Sequence, residues 1–333
     1  MSIVDTKSRE EKKQSRFKGI QTISGESYTQ CHCYFTHPEI QQGHKVDIIY
    51  RYDPFEAITL KNVPDSTAAM ELLIGGNGRF VDILDRMHRR TEGEEAGEPM
   101  VIKVNPISMG LPIWKGGALA QKPFALVLGC SDARVPIESI FDVSSNDLFV
   151  VRIAGNVLGT ECLGSIDYAV RHLKSLRLAV VLGHSECGAV SAAVEAYLSP
   201  NSYLDIASTH ALRSLVDRIQ ISVRAAAGAI HEIYGADCHL HPGFRHCLRD
   251  VAVYLNAALT AYDLRREISG LDVEHPVRVV FAVYDLGTVG VHSGLETTSK
   301  PTFADAPTNT AEFTALTRQL AESEHVRKAL STS

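Results

Sequence analysis

Three side chains with affinity for soft and borderline metals are split between two short segments, Cys130-Ser131-Asp132-Ala133-Arg134 and His184-Ser185-Glu186-Cys187. Two thiolates and an imidazole suit zinc, and three protein ligands leave a fourth position open, as catalytic zinc sites do. The His-x-x-Cys spacing is the more informative half. His184 closing a strand and Cys187 opening a helix can converge on one point, and a helix N-terminus favours the thiolate form. Either residue alone would read as a buried thiol or a satisfied loop histidine. Asp132 and Arg134 stand two residues apart, on one side of an extended turn. A neighbouring guanidinium keeps a carboxylate ionised and oriented. Asp132 is thereby placed either to accept a hydrogen bond from a nucleophile at the metal or to bind the metal itself. A surface ion pair of little energetic weight is the plainer alternative, and closeness to a candidate ligand argues against it.

Each segment follows an apolar run ending in glycine, Phe124 to Gly129 and Leu178 to Gly183. Such runs read as strands of a parallel sheet buried on both faces. The ligands therefore fall at the carboxyl ends of strands, where open α/β sheets place their chemistry. A further strand over 148–153 leads into Ala154-Gly155-Asn156, and a helix from about 162 to 175 turns Ile166, Ala169, Val170 and Leu173 inward. Cys187 opens a helix over 188–198, two long helices follow at 204–232 and 246–269, and a late strand at 277–284 turns back at 287–290. Upstream, Asp65-Ser66-Thr67 offers N-cap chemistry for a helix to about Arg90, which Gly75, Gly76 and Gly78 weaken midway.

The expected fold class is α/β, with a mainly parallel central sheet flanked by helices. Three divisions follow: an N-terminal extension or arm over 1–64, the α/β domain over 65–294 with a helical insertion at about 200–245, and a C-terminal tail over 295–333 with a helix from about Asn309. Residues 91–98 read as a solvated acidic linker.

Bulk properties narrow the class. A hydrophobic share of 45% and a charged share of 22% fit a soluble globular protein. A net charge of −6 argues against general binding to nucleic acid or a membrane surface. No apolar run reaches membrane-spanning length and the first residues are polar, so a cytoplasmic location is expected. The cysteines are seven, an odd number without the spacing of a secreted scaffold, which favours metal or catalytic use in a reducing compartment. The cluster from Cys238-His239-Leu240-His241 to His246-Cys247 fits no standard zinc spacing and reads as a polar loop. Cys31-His32-Cys33 is weaker still.

With these residues in view, the chain resembles the β-class carbonic anhydrases. The likeness rests on Cys-x-Asp-x-Arg after an apolar strand, Phe-Val-Val-Arg-x-Ala-Gly-Asn at 149–156 and Gly-His-x-x-Cys-Gly-Ala at 183–189. It extends to Gly-Asn-Gly-Arg-Phe at 76–80 and Ala-Val-Tyr-Asp-Leu at 282–286. The resemblance implies zinc (Zn2+) held by Cys130, His184 and Cys187, an Asp132–Arg134 dyad, and a substrate pocket using Gln121, Phe149 and Tyr168. For the two aromatics, plain core packing is an equal reading. It further implies reversible hydration of carbon dioxide to bicarbonate, in a homodimer or higher homo-oligomer whose pockets draw residues from both protomers. Ala133 stands where the family commonly has serine, Ile153 where a polar residue is frequent, and Val127 where bicarbonate-regulated members carry tryptophan. That last difference, with Gln121, favours an open metal site over one capped by Asp132. Two alternatives stay open: hydrolysis of a related cumulene such as carbon disulfide or carbonyl sulfide, and a catalytically silent zinc scaffold.

Overall fold

The computed structural model describes residues 47–52, 61–91, 100–106, 109–111, 115–296 and 300–331. Of the arm expected over 1–64, only 47–52 and 61–64 lie within them; Cys31-His32-Cys33 and residues 92–98 of the acidic linker lie outside. The chain divides into one unit of 47–86 with 99–333 and another of 1–46 with 87–98, the second described only at 87–91. No helix among the described residues is long and apolar enough to cross a membrane.

Strand β1 (Ile48–Arg51) is exposed throughout. Helix α1 (Ser66–Thr91) starts where expected, and the Asp65 Oδ1 accepts the N–H of Ala68 at 2.9 Å. Its glycines do not break it. Ala69, Leu73 and Asn77 are buried, and tertiary packing outweighs local propensity. Gly76 has its own reason: a Cβ there would lie 1.7 Å from the carbonyl oxygen of Phe141, so no side chain fits. The next residue, Asn77, donates Nδ2 to the carbonyls of Ile140 and Val289, each at 3.1 Å, and accepts the Val291 N–H at 2.9 Å. Strand β2 (Met100–Lys103) pairs with β1 in parallel.

The remaining elements carry the site. They are β3 (Ala125–Gly129), α2 (Ile137–Ile140), β4 (Leu148–Arg152), α3 (Thr160–His172), β5 (Leu178–His184), α4 (Gly188–Leu198), α5 (Tyr203–Ile206), α6 (His210–Tyr234), α7 (Phe244–Ser269), β6 (Arg278–Tyr284), β7 (Val291–His292), β8 (Ala304–Asp305), α8 (Thr310–Ala321) and α9 (Glu324–Ser331). The expected helix at 204–232 is two pieces, because Thr209 caps a new start: its Oγ1 accepts the Leu212 N–H at 3.2 Å.

The larger sheet runs in the order β4-β3-β5-β6-β7, with β8 also on β6. β4, β3, β5 and β6 are mutually parallel, and β7 and β8 run antiparallel to β6. This is the α/β, mainly parallel architecture the sequence pattern gives. Every residue of β3 and β5 is buried, and their alternating side chains enter two cores. Leu126, Leu128, Ala179 and Val181 face the core built with α4, α6 and α7. Val127, Val180 and Leu182 face the core built with α1 and α2. Gly129 lies opposite Leu182, and His184 lies opposite Tyr284. That register brings Cys130, Gly183 and His184 to the same carboxyl edge of the sheet. The turn after β6 is closed by Asp285, whose Oδ1 accepts the N–H groups of Gly287 at 3.0 Å and Thr288 at 2.7 Å.

Candidate metal centre

Cys130, His184 and Cys187 are buried and meet at this edge, with one ligand atom of each within 4.8 Å of the others. His184 Nδ1 lies 2.9 Å from the carbonyl oxygen of Ser185. A carbonyl only accepts, so Nδ1 carries the proton and Nε2 presents its lone pair. That Nε2 is buried and without a hydrogen-bond partner. An unmatched buried acceptor costs about 1–3 kcal/mol, and a metal-binding imidazole is fixed in this way, through its other nitrogen. The residues present therefore fit a cation such as zinc.

The turn carrying Cys187 back to His184 is pinned from β6. The Ser185 N–H donates to the Tyr284 carbonyl at 2.9 Å, and Ser185 Oγ accepts the Leu286 N–H at 2.8 Å. Glu186 takes a positive φ of 55°, which an unsupported glutamate avoids. Cys187 is the N-cap of α4.

Gly155 donates its N–H to Cys130 Sγ at 3.3 Å. Its φ is 67°, and a Cβ there would sit 2.8 Å from Ile219 Cδ1 and 3.0 Å from Ala189 Cβ, so only glycine lets this amide approach the sulfur. The hydrogen bond from Cys187, helped by the amides of Asp132 and Gly155, holds the Cys130 thiol well below its usual range despite burial. The bond to that same sulfur, with burial, pushes Cys187 upward. Cys130 is thus the readier of the two to ionise, and a cation held by both sulfurs would displace the proton of Cys187.

Arg134 grips Asp132 at both oxygens. Nε reaches Oδ1 at 3.0 Å, Nη2 reaches Oδ2 at 2.8 Å, and the Arg134 N–H reaches Oδ1 at 2.9 Å. The hydrogen bonding from Arg134 holds the carboxyl well below the ordinary carboxylate range. Asp132 Oδ2 is 3.9 Å from His184 Nε2, so the dyad stands beside the ligand cluster. Arg152 fixes the loop from behind, donating Nε to the Cys130 carbonyl at 3.0 Å and Nη2 to the Asp132 carbonyl at 2.5 Å. Asn256 of α7 supports the same glycine, donating Nδ2 to the Gly155 carbonyl at 2.8 Å. The sequence assigns no role to Arg152, Gly155 or Asn256; the first two lie in the 149–156 motif, and Asn256 carries no such signal.

The pocket residues are not brought together with this cluster in the same way. Gln121 is exposed and precedes β3, while Cys130 follows it. The five-residue strand between them spans roughly 17 Å. Phe149 is half-buried on β4, opposite Leu126. Tyr168 is 52% exposed on α3, its ring 5.0 Å from that of His172. β4, Phe149's strand, is an edge of the sheet among the described residues.

Fold and site together define an α/β protein with a Cys₂His metal-competent centre at the carboxyl edge of its sheet and a carboxylate–guanidinium pair beside it. Residues 125–288 match the family described as Carbonic anhydrase. Carbonic anhydrase 2 of Mycobacterium tuberculosis is 40% identical over 159 residues, covering 47% of this chain and 63% of that protein. The carbonic anhydrase of Mycolicibacterium smegmatis is 43% identical over 129 residues, covering 39% of this chain and 53% of that protein. A crystal structure of a β-carbonic anhydrase from Aspergillus fumigatus aligns at a TM-score of 0.40 and 23% identity, over 60% of this chain and 84% of that one. The chain thus spans less than two thirds of the length of these two curated relatives. The similarity to the carbonic anhydrase family extends over residues 125–288, just under half of the chain.

Proposed function

We propose that this chain catalyses the reversible hydration of carbon dioxide to bicarbonate and a proton, with zinc held by Cys130, His184 and Cys187. The observation that carries the reading is the buried, unpartnered Nε2 of His184 facing two thiols, with an ionised Asp132 at 3.9 Å. The mycobacterial relatives named carbonic anhydrase support it. Zinc, when bound, would supply a water-derived nucleophile at neutral pH by lowering water's ionisation towards ~7, as it does in carbonic anhydrases generally.

The protein's own part is positional. Asp132 stays ionised, so it accepts a hydrogen bond from the attacking oxygen and cannot donate one. Arg134 fixes the direction of that acceptor, and Arg152 holds the loop beneath both. Apolar Val157 and Leu158, in the same core as Cys130, suit a substrate without charge. Gln121 precedes β3 whereas the centre follows it, so the reading includes a homodimer, or a larger assembly, in which Gln121 donates to substrate in a second copy. Phe149 and Tyr168, on β4 and α3, complete that pocket from the sheet edge. Residues 65–294 form the catalytic domain in this reading, 1–64 an arm and 295–333 an appended tail. Free thiols at the centre suit a reducing compartment such as the cytoplasm.

The test is stopped-flow hydration of carbon dioxide by zinc-quantified protein across pH 6.5–9. Fast turnover rising with pH is the expected result. Fully zinc-loaded protein that is inactive throughout would overturn the proposal.

A further inference from the structure

We propose that His246, Asp250 and His325 form a second metal site that takes a borderline divalent cation such as Co2+, Ni2+ or Zn2+ and ties helix α9 to α7. The ligand atoms of the three residues all lie within 4.8 Å of one another. His246 and Asp250 are four apart on α7 and share one face, and His325 comes from the first turn of α9. His246 Nε2 is 3.2 Å and His325 Nε2 is 2.9 Å from the same oxygen, Asp250 Oδ2. Bonds of 2.0–2.1 Å place the ligand atoms of a tetrahedral site roughly 3.3 Å apart, so the cation requires only small adjustments. Two imidazoles and a carboxylate suit zinc, nickel or cobalt, and the absence of sulfur distinguishes this set from the Cys130 centre.

The surroundings orient the carboxylate. Arg249 Nε and Nη2 each lie 3.3 Å from Asp250 Oδ1, which occupies that oxygen and turns Oδ2 toward the two rings. Arg249 Nη2 also lies 2.8 Å from His246 Nδ1. Arginine only donates, so without a cation the His246 proton sits on Nε2 and points at Asp250. Coordination requires the other tautomer, with the proton on Nδ1. Arg249 must then give up this contact and keep its contact with Asp250 Oδ1. The side chains of His246 and His325 are 55% and 39% exposed, which leaves a path for the cation and an open position for solvent.

Among the described residues, His239 and His241 do not join this cluster, so the stretch from Cys238 to Cys247 contributes only His246. The other two ligands come from the next turn of α7 and from the C-terminal helix.

The experiment uses the full chain, first loaded with one equivalent of zinc and then titrated with Co2+ by calorimetry and absorption. One further equivalent should bind, giving visible d–d bands without a near-ultraviolet thiolate-to-cobalt band, and raising the thermal midpoint. His246→Gln and His325→Gln should each weaken that equivalent by at least ~10-fold while zinc content at the first centre is unchanged. His246 is exposed, so its variant keeps the test open if His325→Gln fails to fold. No second equivalent at ~0.1 mM Co2+, a second equivalent that persists in the folded variants, or a thiolate band showing cobalt in the Cys130 centre would overturn the proposal.

Discussion

Asn256 Nδ2 donates to the carbonyl oxygen of Gly155 over 2.8 Å, both residues being buried. The N–H of the same Gly155 reaches Cys130 Sγ. One side chain of α7 therefore sets the position of the amide that stabilises a candidate metal-binding thiolate. Asn256→Ala leaves the Gly155 carbonyl buried and unpaired, which costs about 1–3 kcal/mol. Zinc affinity, measured by chelator competition, should fall by roughly 10–100-fold, the usual effect of removing an outer partner of a ligand. A stability loss with zinc affinity unchanged would show that the contact supports the fold alone.

Asp132→Asn is nearly isosteric and removes the charge that Arg134 grips. Zinc content should stay near that of the parent, and carbon dioxide turnover at neutral pH should fall by ~10²-fold or more, as loss of a positioned acid–base group does. Full activity with bound zinc would remove Asp132 from the mechanism.

Arg152 spans two carbonyls, those of Cys130 and Asp132, with a planar fork. Lysine is a point charge that cannot hold both at that geometry. Arg152→Lys should therefore lower kcat by about 10-fold or more, by letting the dyad loop drift, with little change in zinc content. Equal loss of zinc and of activity would instead assign Arg152 to ligand placement.

Two glycines of α1 make opposite predictions. Alanine is favoured over glycine inside a helix by ~1 kcal/mol. At Gly78 nothing lies within 4 Å of an added Cβ, so Gly78→Ala should stabilise by about 0.5–1 kcal/mol in a denaturant titration. At Gly76 the added atom would lie 1.7 Å from a backbone oxygen that cannot swing aside. Overpacking of that kind costs ~1–3 kcal/mol or more, so Gly76→Ala should be net destabilising despite the better propensity.

The strands that position the centre were legible because β3 and β5 are buried on both faces and read as uninterrupted apolar runs. The start of α4 was legible because Cys187 sits at a helix cap. The ligand types and spacing likewise sufficed to single out Cys130, His184 and Cys187. Arg152 and Asn256 were not legible, since both act on backbone carbonyls, and an arginine or asparagine gives no sign of its acceptor until the fold is known. Gly76 was read as a weak point from propensity, whereas it marks a close approach across 65 residues of sequence, roughly the separation of the Asn77–Ile140 bond (63). His325 lies 75 positions from Asp250, beyond the reach of any spacing rule.

His292 gives a pH prediction independent of the two candidate metal centres. It is buried on β7 with an unpartnered Nδ1, and burial lowers its pKa from 6.5, opposed in part by Asp285. The folded protein therefore resists a proton that the unfolded chain takes up near 6.5. The sign follows: the stability contribution of neutral His292 is complete above 6.5, declines as pH falls below it, and is gone below the folded value. Its slope is at most about 1.4 kcal/mol per pH unit. His275 is also lowered by burial and acts in the same direction, while His325 is raised by Asp250 and acts in the opposite one. A difference measurement cancels both. The stability of the parent minus that of His292→Gln, from urea titrations, should be flat above pH ~7 and shrink steadily from pH ~6.5 towards 5. Parallel stability curves across that window would show that His292 takes up its proton equally well in both states.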